Sequence, residues 1–114
     1  MGLGVAIGYF TSKGYTIGIP LTDSQDYDLI VDIGNKLSRV QIKTTGYKRI
    51  NYEVNLSVKG GNRTSIGKIK KFDVNQCDYL FVVTELLEKY LIPSQELVAK
   101  HCLALGLKYE KYKV

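Results

Sequence analysis

The chain has no tryptophan, one histidine, and only two prolines and two cysteines among its 114 residues. Two cysteines cannot build a disulfide scaffold. Cys77 and Cys102 lie in apolar stretches with no second Cys or His at zinc-ligand spacing, although His101 adjoins Cys102, so two buried free thiols are expected and His101 is given no site role. No apolar run reaches the roughly 18 residues of a membrane-spanning helix, and the N-terminus lacks a secretory signature. No membrane partner and a cytoplasmic location are therefore expected. What remains is 45% hydrophobic and 24% charged residues, the composition of a folded globular protein, and the length suits one domain over residues 1–114.

Acidic residues are scarce in one particular region. Residues 1–35 carry a net charge of −3, residues 36–71 carry ten basic residues against Glu53 alone, and residues 72–114 return to −1. The middle third thus holds the whole positive excess. Within it, the stretch from Lys59 to Lys71 has five cations, Lys59, Arg63, Lys68, Lys70 and Lys71, with three glycines and no acid. A flexible basic loop of this kind can follow a phosphate backbone, and it reads equally as a solvated loop or as a contact for an acidic partner. Within the loop, Asn62 and Arg63 have side chains able to bond the edges of A or G. Tyr47, beside Lys48 and Arg49, is the tyrosine best placed to stack on a base.

Leu3, Ala6, Ile7 and Phe10 recur at helical spacing and Gly14 supplies a stop, which predicts a first helix over residues 3–13. Strands follow over 15–20, 27–33, 37–44 and 51–58, the last of these before the basic loop. Asp78 to Thr84 is a continuous apolar run of the kind buried on both faces, and so a central strand. Lys89 to Ile92 suits a short sixth strand, and Ser94 can cap a helix from about Gln95 to Leu105 with Gly106 beyond its stop. The order implies a small α/β or α+β domain with a mixed sheet.

The hairpin over 27–44 carries the chemistry-bearing residues. With Gly34 and Asn35 as a two-residue turn, Ile33 pairs with Lys36 and Asp28 falls opposite Gln41, with Lys43 diagonal to it. Strict alternation puts Asp28, Arg39, Gln41 and Lys43 on one, polar face and Tyr27, Leu29, Val31, Val40 and Ile42 on the other. An acid, an amide and a lysine converging there can hold a hard divalent cation and set an ammonium beside a phosphate, while the same pattern also fits an exposed Asp28–Lys43 ion pair. Asp23 and Asp26, in the preceding loop, read as turn formers.

Gly14-Tyr15 after a first helix, Pro20, the Tyr27-Asp28-Leu29-Ile30 strand and Val40-Gln41-Ile42-Lys43-Thr44 together resemble the PD-(D/E)XK nuclease superfamily. The likeness is to its small branch of intron-encoded homing endonucleases, near the Holliday-junction resolvases, in which Gln can replace the second acid. Lys68 to Phe72, Cys77 to Val83 and Tyr90 to Ser94 are similar to the second half of that branch. The resemblance implies a restriction-endonuclease-like αβββαβ core, a mixed central sheet flanked by helices, and Mg²⁺-dependent cleavage of DNA, duplex or branched, with Mn²⁺ as a substitute. By position, Asp28 would be the metal-binding acid, Gln41 the second motif position, Lys43 the catalytic lysine, and the Ile42 carbonyl a further metal ligand. DNA contacts would fall on Lys48, Arg49, Lys59, Asn62, Arg63, Lys68, Lys70 and Lys71. Cutting two strands with one site per chain implies a homodimer or homotetramer. One departure stands out: relatives place a Glu on the first helix, whereas here Leu3 occupies that stretch and no acid precedes Asp23. That departure supports the alternative of a DNA-binding module with a weak or degenerate site.

Overall fold

The computed structural model describes residues 1–22, 25–46, 51–56, 58–59, 69–70, 75–97 and 102–114. Helix α1 spans Gly2–Ser12 and is followed by β1 (Thr16–Gly18), β2 (Leu29–Ile33) and β3 (Lys36–Thr45). Next come β4 (Tyr52–Asn55), β5 (Val58–Lys59), β6 (Ile69–Lys70), β7 (Tyr79–Thr84), β8 (Lys89–Pro93) and β9 (Cys102–Leu105). Among the described residues no helix is long and apolar enough to cross a membrane.

Five strands form the main sheet in the order β1-β2-β3-β7-β8. The β2–β3 hairpin has the expected register, Ile33 opposite Lys36 and Leu29 opposite Val40. Its turn works because Gly34 and Asn35 both adopt positive φ, 58° and 64°, which matches the strand twist. Strands β3 and β7 run parallel, Val40 beside Tyr79 through Thr45 beside Thr84, and all other neighbours in this sheet are antiparallel. The apolar run of β7 is interior, as its composition predicts, and its side chains supply both cores.

On one face α1 lays Ala6 and Phe10 over Leu29, Val31, Val40, Phe81 and Val83. Phe10 and Phe81 meet at 5.5 Å between ring centroids, with Tyr9 a further 5.5 Å contact of Phe81. The buried stripe of α1 is Gly2, Ala6 and Phe10, not the expected Leu3, Ala6, Ile7 and Phe10. Its first member has to be small: a Cβ on Gly2 would stand 2.7 Å from Thr44 Cγ2 and 3.0 Å from Ile42 Cγ2. Leu3 is consequently turned to the flank, 42% exposed.

The other face is not the polar surface that alternation along the hairpin suggests. Leu80, Val82 and Ile92 are buried there against Tyr52, Val54, Leu56, Leu103, Leu105 and Tyr109. Strand β4 leaves the main sheet and pairs with β9, Tyr52 opposite Leu105 and Val54 opposite Leu103, to make a two-stranded cover. Thr45 Oγ1 donates to the Glu53 carbonyl and fastens this cover to the end of β3. The helix expected over Gln95–Leu105 is thereby replaced: a single 3₁₀ turn covers Ser94–Glu96, Leu97 is extended, and Cys102–Leu105 is a strand. Leu103 and Leu105 are two residues apart, so in a strand both reach the core, and partner pairing overrides local helix propensity. The described residues of the basic segment pair as strands, with Val58 opposite Lys70 and Lys59 opposite Ile69.

Leu103→Ala should cost about 2–5 kcal/mol in denaturant unfolding, the usual cost of truncating a buried leucine. Ala104→Lys, on the exposed side of the same strand, should change stability by less than about 0.5 kcal/mol. Equal costs at the two positions would contradict the strand.

Candidate active site

The site forms where β2 and β3 part. The ladder between them ends at Leu29 and Val40, yet β3 runs on from Gln41 to Thr45 with β7 on its other side. Asp28 stands at this fork. Its N–H donates to the Val40 carbonyl at 2.8 Å, and its carboxylate Oδ2 accepts the Ile42 N–H at 2.8 Å, taking the place of a missing strand neighbour. Because the N–H and C=O of a strand residue point to the same side, the Ile42 carbonyl faces this open edge as well.

Asp28 lies in the plane of the sheet because its neighbours are pinned in opposite layers. Leu29 is buried in the α1 core, whereas Tyr27 packs into the β4–β9 core. Tyr27 therefore sits on the face opposite to the one strict alternation assigns it, since it precedes β2 and is not held to the pleat. The exposed Asp28 carboxylate opens into a cleft of about 270 Å³ shared with Gly2, Leu3, Ile42 and Thr44. Leu3 thus borders the same cleft as Asp28.

Lys43 is half-buried and close enough to Asp28 and Asp26 for both to favour its charged form. Burial outweighs them, so its ammonium gives up a proton more readily than an ordinary lysine. Gln41 is 7% exposed and shares the Lys43 face of β3, next to Val40, whose carbonyl accepts the Asp28 N–H; the Asp28–Gln41 pairing expected from the hairpin count is not part of the ladder, which ends at Leu29 and Val40. The fork thus brings together Asp28, Ile42 and Lys43, with Gln41 alongside. Asp26, read from sequence as a turn former, joins them electrostatically. Its signal was its spacing, two residues ahead of Asp28 at a point where the strand has not begun.

The candidate donors are all oxygen: the Asp28 carboxylate and the Ile42 carbonyl at the fork, and the Gln41 amide on the Lys43 face of β3. Among the described residues no three His, Cys, Asp or Glu side chains gather into a metal cage. One carboxylate with neutral oxygens fits Mg²⁺, which keeps several waters and completes its shell with substrate phosphate. The buried Cys77 thiol is held above its ordinary pKa by desolvation, which outweighs its hydrogen bonds with Ser94 Oγ, at 3.3 Å, and with the Gln41 backbone. Lys48, Arg49, Asn62, Arg63, Lys68, Lys71, Tyr47, Asp23 and His101 lie outside the described residues. Lys59 and Lys70 belong to the paired strands β5 and β6.

Comparison with known proteins supplies an independent line. The profile of a family described as "PD-(D/E)XK endonuclease" matches residues 2–113. Among solved structures, the bacterial homing endonuclease I-Ssp6803I superposes with a TM-score of 0.79 at 22% identity, covering 98% of this chain and 83% of that one. MepB matches at 16% identity with a TM-score of 0.48, over 91% of this chain and 79% of that one. No curated protein sequence matches the chain.

Lys43→Met should raise the melting temperature at neutral pH, because the ammonium's lowered pKa means that folding penalises its charge. The penalty applies below the lowered folded-state pKa and fades as pH rises toward the ordinary lysine value of 10.5. The melting difference between variant and wild type, followed from pH 7 upward, should shrink accordingly.

Proposed function

Given that the chain belongs to the PD-(D/E)XK endonuclease family, we propose that it is a metal-dependent DNA endonuclease of the homing type, with Asp28, Gln41, Ile42 and Lys43 as its reactive centre. The observation that carries this reading is the fork itself, which sets a carboxylate and a backbone carbonyl at one open sheet edge with a half-buried lysine close to the carboxylate. Mg²⁺, with Mn²⁺ as a substitute, would supply Lewis-acid polarisation of the scissile phosphate. Asp28 and the Ile42 carbonyl would hold it, with Gln41 a neutral third donor. The Asp28 carboxylate is kept in position by the Ile42 N–H, so it enters the reaction already oriented. Lys43 places its ammonium where negative charge builds on the phosphate and orients the attacking water. A junction-resolving activity uses the same chemistry on a branched substrate.

DNA is held, in this reading, by the basic middle third: Lys48, Arg49, Lys59, Asn62, Arg63, Lys68, Lys70 and Lys71. One chain carries one such centre while a duplex has two strands, so the working unit is a homodimer or homotetramer. Light scattering of the DNA complex counts the copies.

The cleft also favours a second reading, a DNA-binding module with a weak site. Leu3 borders it in place of a second acid, leaving Asp28 its one carboxylate among the described lining residues. Leu3→Glu separates the two: it should tighten Mn²⁺ binding in calorimetry and speed nicking, with some loss of stability in metal-free buffer from two facing carboxylates. Unchanged Mn²⁺ affinity in a folded variant would show that residue 3 does not reach the metal.

Cleavage of duplex and four-way-junction DNA with Mg²⁺ or Mn²⁺ is the direct test. Asp28→Ala and Lys43→Ala should each abolish it while leaving the melting profile of a folded protein, and Gln41→Ala should weaken it less. Wild-type cleavage by Asp28→Ala would refute the assignment. DNA affinity should fall steeply with salt, and neutralising Lys68, Lys70 and Lys71 together should flatten the log-log slope by about three units.

A further inference from the structure

Asp28 lies outside β2, so the strand ladder alone does not set its direction. Tyr27 on one side and Leu29 on the other do, by occupying opposite layers. Leu29 is locked by full burial. Tyr27 is only partly buried, and its ring has a specific partner: the Arg39 guanidinium lies over it, 6.0 Å from the ring centroid.

Arg39 is itself firmly held. Its backbone N–H donates to Asp78 Oδ2 at 2.8 Å, and its carbonyl accepts the Asp78 N–H at 2.8 Å. Its side chain pairs with the same carboxylate, Nε to Oδ2 at 3.7 Å, and Nη2 donates to the Asn75 carbonyl at 3.2 Å. Asp78 in turn accepts the Ser94 N–H on its own carbonyl at 3.0 Å, so the chain of contacts runs from the end of β8 through the start of β7 and across β3 to Tyr27.

We propose that Arg39 and Tyr27 are positioning residues for the Asp28 carboxylate: Arg39, anchored to Asp78, holds the Tyr27 ring against the second core and so keeps Asp28 in the sheet plane, facing the Ile42 N–H and the cleft. The proposal rests on the reading of Asp28 as the carboxylate of the nuclease centre. Neither residue touches the reacting atoms. Without the cation over its ring, Tyr27 is free to swing back toward the pleat, and Asp28 would then turn out of the plane and away from the Ile42 carbonyl with which it shares the cleft.

The test compares wild type, Arg39→Gln, Arg39→Lys, Tyr27→Leu and Asp28→Ala, each checked for folding by circular dichroism. Mn²⁺ binding to the DNA-free protein is measured by electron paramagnetic resonance, and kcat and KM on cleavable DNA are measured beside it. Arg39→Gln and Tyr27→Leu should each weaken Mn²⁺ binding by about tenfold, the usual effect of losing a residue that orients a metal ligand. Each should lower kcat with KM for DNA changed by less than about twofold. Arg39→Lys, which retains a cation able to lie over the ring, should recover most of both. Tyr27→Leu leaves Arg39 and its Asp78 contacts in place and removes only the ring that Arg39 covers, so it carries the test if Arg39→Gln does not fold. If Asp28→Ala loses Mn²⁺ binding and cleavage while folded Arg39→Gln and Tyr27→Leu keep both, the positioning role is wrong and the site reading stands. If Asp28→Ala itself binds Mn²⁺ and cleaves as wild type does, the site reading falls and takes this proposal with it.

Discussion

One hydrogen bond, from the Ile42 N–H to the Asp28 carboxylate, marks the place on which the candidate site depends. A strand that outruns its neighbour exposes backbone donors and acceptors that need partners. Here a side chain provides the partner, and in doing so holds a carboxylate at fixed distance from the carbonyl of the same residue. Structure and candidate chemistry therefore share a cause: β3 must extend past β2 to pair with β7 along its full second half, and that extension is what opens the edge.

The two cores on either side of the sheet work on this edge together. Phe10, Phe81 and Val83 seat α1 so closely that Gly2 touches Thr44 and Ile42, which brings the first turn of the helix over the cleft. The β4–β9 cover seats Tyr27 on the other side. Each fully buried aliphatic or aromatic side chain in these cores contributes about 1.5–3 kcal/mol, and that stability offsets the cost of keeping Lys43 charged and half out of water. Thr45 and Glu53 connect the cover to the far end of β3, so the segment Gln41-Ile42-Lys43 is fixed at both ends.

The site is sparse in charge. Among the described residues Asp28 is the one carboxylate lining its cleft, with Asp26 nearby and Leu3 where a second acid would reach the same space. In the proposed reading, substrate phosphate drawn by the basic middle third of the chain would complete the ligand shell of a cation. Affinity for metal and affinity for DNA are then expected to rise together, each supplying charge that the other lacks.

By itself the sequence determined what short-range chemistry dictates. Gly34-Asn35 fixed the hairpin register from Ile33–Lys36 to Leu29–Val40, because both residues tolerate the positive φ of a tight turn. The apolar run of β7 was legible as a doubly covered strand, and the motif around Asp28 and Lys43 carried the family likeness. Only tertiary structure decided the rest. Leu103 and Leu105 joined a strand and not a helix because β4 offered partners, and no local signal encodes a partner some fifty residues away. Tyr27 crossed to the second core because it precedes the pleat, Gly2 displaced Leu3 from the helix interface because the sheet left no room for a Cβ, and Arg39 found Asp78 across a parallel pairing. Those contacts join residues far apart in the chain, and packing between layers is what chooses among them.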